Sequence, residues 1–202
     1  MEDSLSIVMS IVMLVISYFI GNISPSILIS KGIYGKDVRT LGSGNAGTTN
    51  MLRNFGKKAA GATLLIDALK GVPCVLLGNW IVGPEFGMWC GLAAIVGHIW
   101  PICFGFKGGK GVATILGTAL AVAPSIALIC IVIGLAVIGV TRRISPGSLL
   151  GTAAFPILAL IGNEPVTMLV WSLICVFIIW WKHRGNIVRI LKGEEPKINL
   201  KK

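Results

Sequence analysis

Two long apolar runs limit what this chain can fold into. Residues 4–29 and 112–140 contain no Asp, Glu, Lys or Arg. A helix of about 20 apolar residues crosses the hydrocarbon of a bilayer, and both runs exceed that length. Further apolar runs occupy 59–82, 87–104, 148–162 and 166–181. Only 13% of the residues are charged, against about a quarter in soluble domains. Mean hydropathy is +0.85. The sequence therefore predicts an all-α, polytopic integral membrane protein, with residues 1–202 forming a single transmembrane domain. Ser24-Pro25-Ser26 is expected to kink the first span, Pro156 to interrupt the sixth, and short turns are expected at 83–85 and 163–165. The opening Met1-Glu2-Asp3 has no basic segment and no A-x-A site follows the first run, so that run is expected to remain a membrane span.

Charge decides how the spans are counted. Every one of the 18 Lys and Arg residues except Lys70 falls within 31–58, 107–110, 142–143 or 182–202. Glu2, Asp3, Glu85 and Glu164 lie in the remaining connections, which carry no basic residue. If 112–140 is two helices broken near Pro124, all four basic segments share one side of the membrane. If it is one helix, they divide between the two sides. The positive-inside rule favours the first arrangement. The expectation is seven transmembrane helices, the N-terminus outside and the C-terminus cytoplasmic, in a bacterial inner membrane. Spans four and five come out short. Within span two, Asp67 and Lys70 are three residues apart and share a helix face, so they are expected to face protein and to pair.

Four polar segments thus converge on the cytoplasmic face. In the first, Gly42, Gly44 and Gly47 allow backbone conformations closed to other residues. Successive N–H groups there could form an anion nest, with Ser43, Asn45, Thr48, Thr49 and Asn50 as side-chain donors and Arg53 as a planar fork for phosphate. A plain flexible loop between helices is the alternative. In the second segment, Lys107 and Lys110 flank Gly108 and Gly109. Gly111 stands where a P-loop requires Ser or Thr, so nucleotide hydrolysis is disfavoured. The two lysines suit a phosphate or phosphate ester, or simply obey the positive-inside rule. In the fourth, His183, Arg184, Asn186 and Arg189 read as donors around an anion, or as a base with binders.

Other chemistries are poorly supported. Two histidines, His98 and His183, cannot build a three-histidine metal site, and no carboxylate pair accompanies them. Neither metal nor cofactor is expected. Cys74, Cys90, Cys103, Cys130 and Cys175 lie in apolar runs without a CxxC pair and read as small buried hydrophobes. There is no G-x-S-x-G elbow, so Ser43 and Ser145 are candidates for positioning only. The net charge of +10 lacks the aromatic interleaving of single-strand nucleic-acid binders.

Three motifs together carry a resemblance: Gly42-Ser-Gly-Asn-Ala-Gly-Thr-Thr-Asn50 with Arg53; Gly97-His98-Ile-Trp-Pro101 leading into Phe104-Gly-Phe-Lys-Gly-Gly-Lys-Gly-Val-Ala-Thr114; and His183-Arg-Gly-Asn186-Ile-Val-Arg189 through Gly193-Glu194. In this order and over nearly the whole chain, they resemble the bacterial acyl-phosphate:glycerol-3-phosphate acyltransferase family (PlsY). Thr48 stands where the family often has Ala, and Gly185 where it often has a polar or acidic residue. The resemblance implies transfer of a fatty acyl group from acyl phosphate to the 1-hydroxyl of glycerol 3-phosphate. The products are 1-acylglycerol 3-phosphate (lysophosphatidate) and phosphate, at the start of phospholipid synthesis and without metal or cofactor. The chain agrees in lacking the H-x-x-x-x-D signature of other glycerolipid acyltransferases. The implied catalytic residues are Ser43, Arg53, Lys110, Ser145, His183 and Asn186. The implied substrate contacts are Gly42, Gly44, Asn45, Gly47, Thr48, Asn50, Lys107, Gly108 and Gly109. The implied partners are the two substrates and the lipid bilayer, with no nucleic acid, for a chain able to act as a monomer. A small anion transporter is the rival class. Against it, only Asp67 and Lys70 are charged within a span and the external connections are poor in polar residues.

Overall fold

A computed structural model describes residues 2–83 and 85–198, the side chains of Glu2 and Asp3 excepted. Pro84 of the expected 83–85 turn, and Lys201 and Lys202 of the basic tail, lie outside the described residues. Among those described, regular structure is entirely helical, and it forms two compact units, Met1–Val122 and Ala123–Lys202.

The first unit holds α1 (Glu2–Asn22), α2 (Pro25–Gly32), α3 (Thr48–Leu69), α4 (Gly71–Ile81), α5 (Phe86–Ile99) and α6 (Val112–Val122). The first apolar run breaks at Ser24–Pro25, where proline begins α2 and cannot donate to the preceding turn. A difference from expectation lies in α3. It begins at Thr48, inside the stretch read as loop, and turns at Gly56, whose φ of 85° is closed to other residues at little cost. The polar composition hid a helical pattern: Met51, Leu52 and Phe55 pack on a cluster that includes Ile27, Val38 and Ala46. That burial fixes the first turns of α3 against α2.

Close packing within this unit relies on missing Cβ atoms. A Cβ on Gly21 of α1 would overlap the Ala94 carbonyl of α5, and one on Gly97 of α5 would overlap the Tyr18 carbonyl of α1. Small residues let helix backbones approach where lipid supplies no hydrophobic drive between helices.

The second unit holds α7 (Pro124–Thr141), α8 (Ile144–Ile161), α9 (Val166–Lys182) and α10 (Arg184–Leu191). Run 112–140 is therefore two helices, parted at Ala123–Pro124, the arrangement the charge pattern favours. Pro156 lies within α8. Gly134 of α7 meets Gly147 and Gly151 of α8, again at backbone distance.

The surface follows membrane logic. Leu128, Val132 and Leu135 are exposed, whereas Ser17, Thr63, Thr118 and Ser172 are buried. The Thr63 and Ser172 hydroxyls donate to carbonyls of their own helices, Ala59 O at 2.8 Å and Leu169 O at 2.8 Å. Asp67 and Lys70 are buried and paired at 2.7 Å. Among the described residues, five segments are long and apolar enough to cross a membrane: Ser4–Gly32, Thr48–Ile81, Phe86–Phe104, Pro124–Thr141 and Ile144–Ile161. The bent pair α9 and α10, at 64°, makes a sixth if taken as one span, and α6 is shorter.

Candidate active site

The glycine-rich stretch of the first unit is built around Asn50. Its side chain is buried, with Nδ2 within 2.9 Å of Val38 O, 3.0 Å of Leu41 O and 3.1 Å of Asn45 O. Its Oδ1 accepts from the Ser43 N–H at 3.2 Å and from Asn54 Nδ2 at 3.0 Å. One amide thereby pins a loop in which Gly42 and Gly44 take φ of 53° and 68°. A Cβ on Gly42 would stand 2.6 Å from Asn50 Oδ1. Asn50 thus shapes the cradle from beneath. Asn50→Ala leaves buried carbonyls unpaired, at about 1–3 kcal/mol. Melting in detergent, followed by circular dichroism, should show that loss together with reduced activity.

Around this pin, the sequence-selected residues sit as follows. Ser43 is exposed and Asn45, Gly47 and Thr48 are partly exposed. Gly47, extended, caps α3 with no side-chain bond to the helix N-terminus. That terminus concentrates N–H groups and positive dipole beside the loop. Arg53 is exposed on the next turn of α3.

A strut fixes this loop to the second one. Arg39 donates through Nε to Asp37 Oδ1 at 3.0 Å and through Nη2 to Asp37 Oδ2 at 2.8 Å. Its Nη1 reaches Phe104 O at 2.7 Å. The Arg39 guanidinium holds the Asp37 carboxyl well below the usual carboxylate range, with burial opposing more weakly.

In the second loop, the Gly108 N–H donates to Ile99 O at 3.3 Å and the Gly109 N–H to His98 O at 3.2 Å. These amides satisfy carbonyls that the end of α5 would leave unpaired. A Cβ on Gly108 would overlap His98 O, and one on Gly109 would overlap His98 Nε2 and come within 2.8 Å of Ala46 O. The two glycines therefore let both loops close on the end of α5. Lys110 is partly buried and Lys107 exposed beside them. Gly108→Ala meets fixed backbone oxygens, so overpacking of about 1–3 kcal/mol is expected, with a rise in KM for a phosphate-bearing substrate. Steady-state kinetics and melting of the same preparation check both effects.

The second unit gathers Ser145, Asn186 and Glu195. Asn186 Nδ2 lies 2.8 Å from Ser145 Oγ and 2.7 Å from Glu195 Oε1, and Ser145 Oγ donates to Glu195 Oε1 at 2.5 Å. Arg189 Nε donates to Glu195 Oε2 at 2.9 Å. Burial works against the Glu195 charge, yet the bonds from Ser145, Asn186 and Arg189 together hold its carboxyl below the usual range. Buried His183 starts α10, with Nδ1 2.8 Å from Ile179 O. A carbonyl only accepts, so Nδ1 carries a proton and the ring is oriented by that bond.

Sequence reasoning missed Arg39, Asp37 and Glu195. It noted Glu194, which is exposed, whereas Glu195 is buried. The available signal was Gly193, whose φ of 75° ends α10 and turns the chain back.

The first unit thus carries two glycine-rich loops with basic residues near them, and the second a buried cluster of Ser145, Asn186 and Glu195; such polar, basic groups in a helical membrane protein suit an enzyme that acts on anionic substrates. Comparison with known proteins narrows this class. Residues 11–193 match the family model described as glycerol-3-phosphate acyltransferase. The chain is 42% identical over 198 residues to the glycerol-3-phosphate acyltransferase of Clostridioides difficile, covering 95% of this chain and 97% of that one. It is 44% identical over 190 residues to that of Neisseria meningitidis serogroup C, covering 91% and 94%. Its fold is similar to crystal structures of PlsY, an integral membrane glycerol 3-phosphate acyltransferase. The glycerol 3-phosphate form matches with a TM-score of 0.90 at 35% identity, over 94% of this chain and 96% of that one. The lysophosphatidic acid form matches with a TM-score of 0.86 at 33% identity, over 95% and 96%. The chain belongs to the PlsY family of membrane glycerol-3-phosphate acyltransferases.

Proposed function

We propose that the chain transfers a fatty acyl group from an acyl phosphate to the 1-hydroxyl of glycerol 3-phosphate, the first acylation of phospholipid synthesis. The observation that carries this reading is the pair of basic glycine-rich loops locked together through Gly109 and Arg39 in a member of this family. Both substrates bear a phosphate, which calls for more than one anion-binding element. The glycerol 3-phosphate and lysophosphatidic acid forms of the similar PlsY structures support the acceptor and product.

An acyl phosphate is a mixed anhydride. The 1-hydroxyl oxygen attacks the carbonyl carbon, the bond from that carbon to the phosphoryl oxygen breaks, and inorganic phosphate leaves with its electron pair. No covalent enzyme intermediate is needed, and catalysis rests on position and charge stabilisation. We assign the 41–47 backbone, Ser43 and the start of α3 at Thr48 to the phosphoryl group of the donor, over the Asn50 pin. We assign Arg53, Lys110, Ser145, His183 and Asn186 to glycerol 3-phosphate, with Lys107 contributing charge. The hydroxyl proton passes to His183, whose ring the Nδ1–H bond to Ile179 O orients, or to a substrate phosphate.

We further propose a single functional domain with seven spans, the N-terminus outside and the C-terminus cytoplasmic, acting as a monomer without metal or cofactor in a bacterial inner membrane. The basic segments would then all face the cytoplasm, where glycerol 3-phosphate is met. The break at Ala123–Pro124, which divides 112–140 into two helices, supports this count. The test is to supply purified protein in vesicles with labelled glycerol 3-phosphate and palmitoyl phosphate. Lysophosphatidate and equimolar phosphate are expected. Phosphate uptake with no donor present and no acylated product would contradict the proposal in favour of a transporter.

A further inference from the structure

A buried ionic cluster lies at the end of α5 in the first unit, and no role assigned above uses it. Asp67 is on the last turn of α3, Lys70 caps that helix, and His98 is on the last turn of α5. All three side chains are buried. Charges at membrane depth are costly and are kept where they are paired and have a task. Lys70 Nζ lies 2.7 Å from Ile23 O, 2.7 Å from Asp67 Oδ1 and 2.9 Å from His98 Nδ1. Ile23 sits in the break between α1 and α2, so the ammonium also serves the backbone where helical hydrogen bonding lapses.

With Lys70 as an ammonium, the donor count favours one state of the imidazole. An ammonium has three hydrogens and accepts none, and three acceptors surround this one. His98 Nδ1 accepts only through its lone pair, so the ring proton belongs on Nε2. An Nδ1–H ring would instead donate to Asp67 Oδ1 at 3.1 Å, but would set that N–H against the Lys70 ammonium at 2.9 Å. Nε2 is at the far edge of the ring, where a Cβ added to Gly109 would overlap it and would also approach Ala46 O. That is the seam of the two glycine loops.

We propose that Asp67, Lys70 and His98 form a positioning device: Lys70, anchored by Asp67, holds the His98 ring with Nε2–H directed at the seam between Ala46 and Gly109, and so sets the two phosphate-binding loops relative to each other. This rests on the acyltransferase reading and adds to it three residues that touch no substrate. The ammonium works as a template for the ring, and the ring as the wedge on which both loops close.

Two measurements test it. The first is the imidazole 15N spectrum of the wild-type protein in detergent. The chain has only 2 histidines, and His183→Asn serves solely to assign the two signals. His98 is expected as the neutral Nε2–H tautomer, and an Nδ1–H tautomer or an imidazolium would overturn the proposal. The second is kinetic. His98→Gln places an amide N–H near the Nε2 position, whereas His98→Asn reaches only the Nδ1 position. His98→Asn should raise KM for glycerol 3-phosphate roughly 10- to 100-fold with kcat within about twofold of wild type. His98→Gln should keep KM within about threefold of wild type. Equal impairment of the two variants, or a fall in kcat with KM unchanged, would overturn the positioning role. Should a variant fail to fold, the wild-type spectrum still decides. Absence of lysophosphatidate from the wild-type protein would sink the acyltransferase reading itself, separately from the tautomer result.

Discussion

His183→Ala is expected to lower kcat by about 10²–10⁴-fold with glycerol 3-phosphate saturating, the range for losing a positioned proton acceptor. The physical basis is the orientation of the ring. His183 Nδ1 donates to Ile179 O at 2.8 Å, which fixes how the imidazole is presented. The side chain is buried and bonded to Ile179 O, so melting temperature should fall as well, and kcat is to be measured on folded protein. Steady-state rates across glycerol 3-phosphate concentrations separate two outcomes. A large drop in kcat assigns the proton to His183. Turnover near wild type at saturation would instead assign it to the phosphate of the substrate and leave the histidine a binding role.

Glu195→Ala is expected to cost about 2–3 kcal/mol of stability, because it strips partners from buried Ser145 and Asn186. Activity should fall at least 100-fold, since a displacement of about 1 Å in positioning groups costs that much. Glu195→Gln should be milder in stability but still impaired, because its amide group would present a donor to Arg189 Nε or to the Ser145 and Asn186 donors. The pH dependence follows from the sign of the shift. The folded carboxyl of Glu195 is held below its unfolded value. Its contribution is therefore complete above the ordinary glutamate range and is lost as pH falls through the depressed folded value. Wild-type protein should lose stability on acidification more steeply than Glu195→Gln, as read by melting at a series of pH values.

Much of this could be read from the sequence, because the bilayer imposes simple rules. Apolar length marked the helices, and the four basic segments favoured a break in 112–140, which Pro124 supplies. The Asp67–Lys70 pair followed from helical spacing and the cost of lone charges in lipid. The start of α3 was hidden because Thr48, Thr49, Asn50, Arg53 and Asn54 are polar, although Met51, Leu52 and Phe55 carry the helical face. Motif residues named together in sequence also proved to have unlike tasks. Asn50 supports the loop from below, and the Gly108 and Gly109 amides close the end of α5. Such division of labour depends on which way each group points, which residue type alone does not encode. Glu195 escaped notice for the same reason, since only the turn at Gly193 tells it from exposed Glu194.

The central claim is the identity of the acyl donor. Purified protein in lipid or detergent, with EDTA present, would receive labelled glycerol 3-phosphate and either palmitoyl phosphate or palmitoyl-CoA. The account predicts lysophosphatidate from palmitoyl phosphate and none from palmitoyl-CoA. Product from palmitoyl-CoA alone would contradict it.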